Sequence, residues 1–282
     1  MRYPPVTYKI LETLKRCADV QGIAVVGSYA TGTQRPDSDI DICAFYDTTL
    51  DTRALAHSIA NEFNLSVSDV PLTPLGGWGK WVDGGGWLTL EGQRVDIVYR
   101  NITRLEWVIK NVNAGEIELD YLQVPAFGYF NFTWVAELQA TDPIFDPEGR
   151  ITRLIDRSTA FPAPLQKKCT ELFLHIAQFA SDIGKKTFAR EEWYTARPCC
   201  DRAIWATCVA LYAANAVWIP AEKRVMKEID RLPFVPKGFA DRCVQVQKVN
   251  LTEQSFMEVN SLIKEAIEES NKALLSEHNR SH

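Results

Sequence analysis

Gly27-Ser28 ends a short apolar run, ten residues follow, and Asp39-Ile40-Asp41-Ile42 opens the next run. In a strand, side chains two residues apart point the same way, roughly 7 Å from each other along the chain. Asp39 and Asp41 therefore share a face, where two carboxylates repel each other unless a cation lies between them. Hard divalent cations take oxygen ligands and bind substrate phosphates as well, which suits paired aspartates on a rigid strand. Gly27, with no side chain, lets backbone amides approach a phosphate, and Ser28 can donate its hydroxyl, the more so if a helix begins near Tyr29. A third acid, Asp96, interrupts the apolar run Val95-Asp96-Ile97-Val98. If its strand lies beside that of Asp39 and Asp41, three carboxylates converge. That is enough for two ions roughly 3.5 to 4 Å apart that clamp the attacking and leaving oxygens of an in-line displacement.

Elements must hold these residues in place. Ile10, Leu11 and Leu14 at helical spacing predict a helix over 7–17, and the compact run 23–26 predicts a strand ending at Gly27-Ser28. Alternation of Ile40, Ile42 and Ala44 with Asp39, Asp41 and Cys43 predicts a strand over 40–45, followed by a helix over 52–63. Pro71 to Gly86, rich in glycine and tryptophan, reads as loop or irregular hairpin. Strands over 87–90 and 94–99 flank the turn Glu91-Gly92-Gln93, and a helix follows over 103–114. Pro125, Pro143, Pro147 and the turn signal Asp146-Pro147-Glu148-Gly149 break up the next stretch, leaving one helix near 130–139.

Beyond Pro164 the period becomes 3.6. Leu172, Phe173, Ile176, Phe179, Ala180 and Ile183 are expected to share one face, and Phe256, Val259, Ile263, Ile267 and Leu274 another. Helices over 201–217 and 220–232, the second opening on Pro220, lie between them. The expected fold is α+β: an α/β-type domain over 1–120 with a mixed sheet of four to five strands, a connector over 121–160, and an all-helical bundle over 161–282. The substrate cleft is expected between the two domains.

Composition narrows the function classes. The 282 residues are 46% hydrophobic and 24% charged, and 31 Lys and Arg against 36 Asp and Glu give 31 − 36 = −5. That balance argues against a nucleic-acid partner, which calls for a basic footprint. Seven cysteines, an odd number with no CxxC pair, read as reduced core thiols. The opening MRYPPVTYKILETLKR lacks an export signal, and no apolar run is long enough to span a bilayer, so a cytoplasmic protein without a membrane partner is expected. The oligomeric state is not legible.

Gly27, Ser28, Asp39, Asp41 and Asp96 together resemble the DNA polymerase β-like nucleotidyltransferase superfamily, whose hallmark is a Gly-Ser, a spacer of this length, an Asp-x-Asp and a later strand aspartate. The resemblance covers roughly residues 20–115. It implies a metal-dependent enzyme that moves a nucleoside monophosphate, AMP for preference, from ATP or another nucleoside triphosphate to a hydroxyl of a small acceptor. It implies that Asp39, Asp41 and Asp96 are catalytic and bind two Mg2+ or Mn2+ ions, and that Ser28 touches the triphosphate. The segment from Asn215 to Lys223, followed by Leu232-Pro233, is similar to the C-terminal domains of bacterial antibiotic-modifying adenylyltransferases. That likeness makes Lys223 a candidate triphosphate contact. Those adenylyltransferases that modify aminoglycosides also carry a glutamate base for the acceptor; Glu91 and Glu118 are guesses at it, and the acceptor side is open. Adenylylation of a protein partner and a non-catalytic nucleotide-binding scaffold stay open as alternatives.

Other residues carry a bland reading beside the functional one. Arg35 is either a solvated loop charge or a phosphate contact, and Asp37 after Pro36 more often makes a turn or cap. Gly76-Gly77-Trp78-Gly79-Lys80 lacks the spacing of a phosphate-binding P-loop. Trp78, Trp81 and Trp87 line an acceptor pocket or merely pack. His175 falls on an apolar helix face and reads as a core histidine, His57 lies on a surface helix, and the Cys199-Cys200 pair at a helix start has no catalytic partner.

Overall fold

The computed structural model describes residues 2–121, 127–219 and 222–278. The chain folds as two compact units: residues 1–111 with 118–159, and residues 112–117 with 160–282.

The first unit is built on a five-stranded mixed sheet. Helix α1 (Pro5–Lys15) opens on a proline, whose missing N–H costs nothing at a helix start, and buries Ile10, Leu11 and Leu14. Strand β1 (Gly22–Val26) leads into the short helix α2 (Gly27–Thr31), and then come β2 (Ile40–Tyr46) and α3 (Thr52–Phe63). The Asp51 carboxylate caps α3 by accepting from the Arg53 and Ala54 amides. Strands β3 (Gly85–Leu90) and β4 (Gln93–Asn101) form a hairpin around the two-residue turn Glu91-Gly92, and α4 (Ile102–Asn113) follows. A two-stranded ribbon, β5 (Leu119–Asp120) with β6 (Tyr129–Phe130), precedes α5 (Asn131–Glu137), β7 (Thr141–Phe145) and α6 (Arg150–Ser158).

The sheet order is β3-β4-β2-β1-β7, with β2 and β4 parallel and every other pair antiparallel. Because side chains alternate, β2 and β4 divide their residues between two faces. Ile40, Ile42, Ala44, Val95, Ile97 and Tyr99 enter a core closed by residues of α1 and α3. The opposite face carries Asp41 and Cys43 of β2 and Asp96, Val98 and Arg100 of β4. Arg100 is buried, donates to the Trp81 carbonyl at 3.2 Å, pairs with Glu137 and lies over the Trp134 ring. This packing closes the far end of the face and leaves the carboxylates at its open end.

The expected mixed sheet and C-terminal helical region are present, with differences in detail. Residues 121–160, expected as a connector, carry β7 as an edge strand on β1, together with α6. Pro143 hides that strand from sequence reading, yet proline is tolerated on an edge, where its missing N–H need not meet a partner. Pro125 falls outside the described residues.

The second unit is helical: α7 (Ala163–Phe188), α8 (Trp193–Ala214), α9 (Glu222–Glu228), α10 (Phe239–Lys248) and α11 (Glu253–His278), with α7 against α8 and α11 against both. The face expected on α7 is shifted. Leu165, Cys169, Phe173, Ala177 and Ala180 are buried, whereas Leu172 and Phe179 are exposed. On that exposed side His175 stacks on Phe179, so it is not the core histidine its sequence neighbours implied. On α11, Phe256, Val259 and Ile263 are buried as expected and Ile267 is exposed. Helix α8 begins eight residues before the expected start and continues through Pro198, which places Cys199 and Cys200 inside it. Pro220 lies outside the described residues. Among the described residues no helix is long and apolar enough to cross a membrane.

Candidate active site

The register of β2 against β4 brings the acids together. Asp41 is the direct partner of Asp96 across the parallel pair, and Asp41 faces Val26 on its other side. One row across the sheet therefore reads Val26, Asp41, Asp96, Trp87, since Trp87 is the antiparallel partner of Asp96. Strands lie about 4.8 Å apart, so the Asp41 and Asp96 carboxylates leave the sheet side by side. Gly27 begins α2 with φ +68°, and a Cβ there would lie 2.6 Å from Asp41 Oδ2. No side chain fits between the start of α2 and that carboxylate, which ties the Gly-Ser segment to the acid pair. Ser28, half-buried, occupies the first turn of α2.

Asp39 sits one rung further along, just before β2, and its Oδ1 lies 2.6 Å from Arg94 Nε. That oxygen is covered from solvent and makes no aligned hydrogen bond. Arg94 also donates to the Asp37 carbonyl, strapping the loop ahead of β2 to β4. Burial first, and then the Asp39 charge, push the Asp96 carboxyl above the usual carboxylate range, and Arg94 offsets part of the effect. Negative charge is thus in excess at this end of the sheet. Among the described residues, no three or more His, Cys, Asp or Glu side chains converge closely enough to enclose a metal ion. Asp41 and Asp96 are juxtaposed, while Asp39 is turned to a guanidinium.

The remaining candidates are scattered. Arg35 is exposed, its amide donating to Ser38 Oγ, and makes no ion pair among the described residues. Asp37 is exposed as well. Lys223 falls in α9, and its side chain lies outside the described part of the structure. Glu91 occupies the β3–β4 turn and pairs with Lys9 of α1, a helix of the opposite face, while Glu118 pairs with Lys80. Trp81 is fully buried, whereas Trp87 is 67% exposed and stacks on Trp78 with ring centroids 4.6 Å apart. His57 is exposed, as expected. Every cysteine is a free thiol, and burial raises the pKa of each.

Arg94 escaped the reading of the sequence. Its signal was the same period of two that marks the acids: Arg94 stands two residues before Asp96, as Asp39 stands two before Asp41. Only the register of β2 on β4 reveals that the two leading residues meet.

Residues 8–113 match the family model described as nucleotidyltransferase domain. No curated protein matches the chain. Among solved structures, a nucleotidyltransferase-like protein from Exiguobacterium sibiricum 255-15 is similar at 15% identity and a TM-score of 0.46, over 95% of this chain and 77% of that one.

Proposed function

We propose, from the premise that residues 8–113 form a nucleotidyltransferase domain of the polymerase β-like kind, that this protein is a metal-dependent nucleotidyltransferase acting on a small hydroxyl-bearing acceptor. A nucleoside triphosphate, ATP for preference, is the donor. The observation that carries the reading is the register pairing of Asp41 with Asp96, with Gly27 pressed against Asp41.

The donor set is all carboxylate oxygen, which suits magnesium and manganese, and a cation beside Asp96 would offset what lifts its pKa, burial first and the Asp39 charge second. Asp41 and Asp96 would hold the metal, with Asp39 joining once Arg94 releases it. When bound, the metal would polarise the α-phosphate and stabilise the departing pyrophosphate. Gly27, with no side chain, lets backbone amides approach a phosphate, the Ser28 hydroxyl donates to a phosphate oxygen, and Arg35 is a further cationic contact.

The test is pyrophosphate release from ATP, GTP, CTP and UTP with magnesium, over a panel of hydroxyl-bearing metabolites and antibiotics. Asp39→Asn and Asp41→Asn should each lower the rate at least about a hundredfold, the scale expected when one electrostatic partner of the transition state is removed. Unchanged rates in both would sink the assignment. The Asp39–Arg94 ion pair favours one second reading, a nucleotide-binding scaffold in which arginine stands where a cation would. Metal-dependent nucleotide binding with no release for any acceptor is its signature.

A further inference from the structure

The sheet face that carries Asp41 and Asp96 does not end at the acids. Trp87 is the next side chain in the row, the antiparallel partner of Asp96, and directly opposed residues point to the same face about 5 Å apart. It is the most exposed tryptophan of the first unit. Its indole is held from behind: Trp78 stacks on it at 4.6 Å with the planes 23° apart. Trp78 can lie there because residue 85 is glycine, where a Cβ would fall 2.9 Å from the Trp78 ring and 1.9 Å from the Ile97 carbonyl. An indole fixed on one side and open on the other, one strand away from a carboxylate pair, is a platform rather than a piece of core.

We propose that Trp87, backed by Trp78, binds the acceptor, and that the acceptor is an alcohol carried on a ring, aromatic or pyranose, whose apolar face lies on the indole. The inference rests on the transfer reading above, and the order of the row carries it further. Gly27 and Ser28, which would hold the triphosphate, lie on the β1 side of Asp41, and Trp87 lies on the opposite side, beyond Asp96. In an in-line displacement the attacking oxygen enters opposite the leaving group. Pyrophosphate departing toward β1 and α2 therefore requires the acceptor hydroxyl to enter from β3. The hydroxyl attacks the α-phosphorus, the bond from that phosphorus to the bridging oxygen breaks, pyrophosphate leaves, and the hydroxyl proton passes to a neighbouring base or to water. A ring stacked on Trp87 places its own hydroxyl over Asp96.

Binding without turnover tests this. The protein, loaded with Mg2+ and an α,β-methylene nucleoside triphosphate, is titrated with phenyl β-glucoside, methyl β-glucoside and glycerol, and ligand contact is read by saturation-transfer NMR. The two ring compounds should bind and glycerol should not. Trp87→Ala should weaken ring binding about tenfold or more, Trp87→Phe should keep it within about threefold, and triphosphate affinity should stay within about twofold of wild type in both variants. Ring binding untouched in Trp87→Ala would overturn the proposal, as would a loss of triphosphate affinity in that variant, which would assign the stack to the base. Absence of ring binding to the wild type would overturn it too. Triphosphate binding by the wild type and its loss in Asp41→Asn report on the transfer reading separately, so the two ideas can fail independently.

Discussion

Asp39 has two claims on its charge: the guanidinium of Arg94 beside it, and the divalent cation that the acid pair would attract. The pair with Arg94 is worth little to the fold, because Arg94 is 61% exposed and exposed pairs contribute about 0 to 1 kcal/mol. It matters more as competition, since a metal that takes Asp39 as ligand must displace the arginine. Arg94→Ala should therefore leave the metal-free melting temperature within about 2 °C of wild type while tightening Mn2+ binding about threefold to tenfold, read by electron paramagnetic resonance of free Mn2+. Weaker Mn2+ binding in the variant would mean that Arg94 orients the acid instead of opposing the cation. At this scale the sequence was legible where chemistry is local: Asp39 and Asp41 follow from a period of two, and Asp96 from an acid in an apolar run. Arg94 and Trp87 were not, because their meaning depends on which residue stands opposite on a neighbouring strand, and no local period encodes that.

Elements with strong periods and ordinary boundaries were read from the chain; those whose signals conflict were not. Helix α3 shows its cap, its period and its end, whereas β7 contains a proline and α6 follows a turn that reads as loop. Asp146 joins those last two. Its carboxylate accepts from the Ile151 and Thr152 amides and from the Thr152 hydroxyl, capping α6 from the turn that precedes it. Burial pushes its carboxyl up, but the hydrogen bonds from Thr152, Ile151 and Arg150 prevail and hold it below the usual carboxylate range. A depressed folded-state pKa contributes stability that is present above the unfolded-state pKa and lost as pH falls through the folded-state value. Asp146→Ala should cost about 1 kcal/mol at pH 7, the scale of a lost cap. Its difference from wild type in thermal unfolding should shrink steadily between pH 5 and pH 3. A difference that is constant over that window would show that the capping carboxylate contributes through shape and not through charge. Helix α7 teaches a related lesson: the 3.6 period was visible, but Leu172 and Phe179 set the wrong phase, since apolar residues on an exposed side are common and carry no core signal.

Each of the two units buries its own core, one between the sheet and α1 with α3, the other among α7, α8 and α11. Gly27, Ser28, Asp39, Asp41 and Asp96 all belong to the first. A ligand that binds only the native form stabilises whatever unfolds together with its site, by about 2.7 kcal/mol at a hundred times its dissociation constant. Local stability is distributed in cooperative blocks, and amide exchange resolves them. With Mg2+ and the α,β-methylene triphosphate at that excess, peptides from β1, β2 and β4 should exchange about a hundredfold more slowly, while peptides from the middle of α8 and α11 change less than twofold. Equal protection in both sets would mean that the helical unit unfolds only with the sheet and that the chain behaves as one cooperative block. Protection confined to α8 and α11 would place the nucleotide on the wrong unit and would contradict the acid pair as its site. The expected pattern follows from where the residues lie: the proposed site occupies one end of one sheet, and stabilisation by a ligand bound there would spread as far as the core that holds that sheet together.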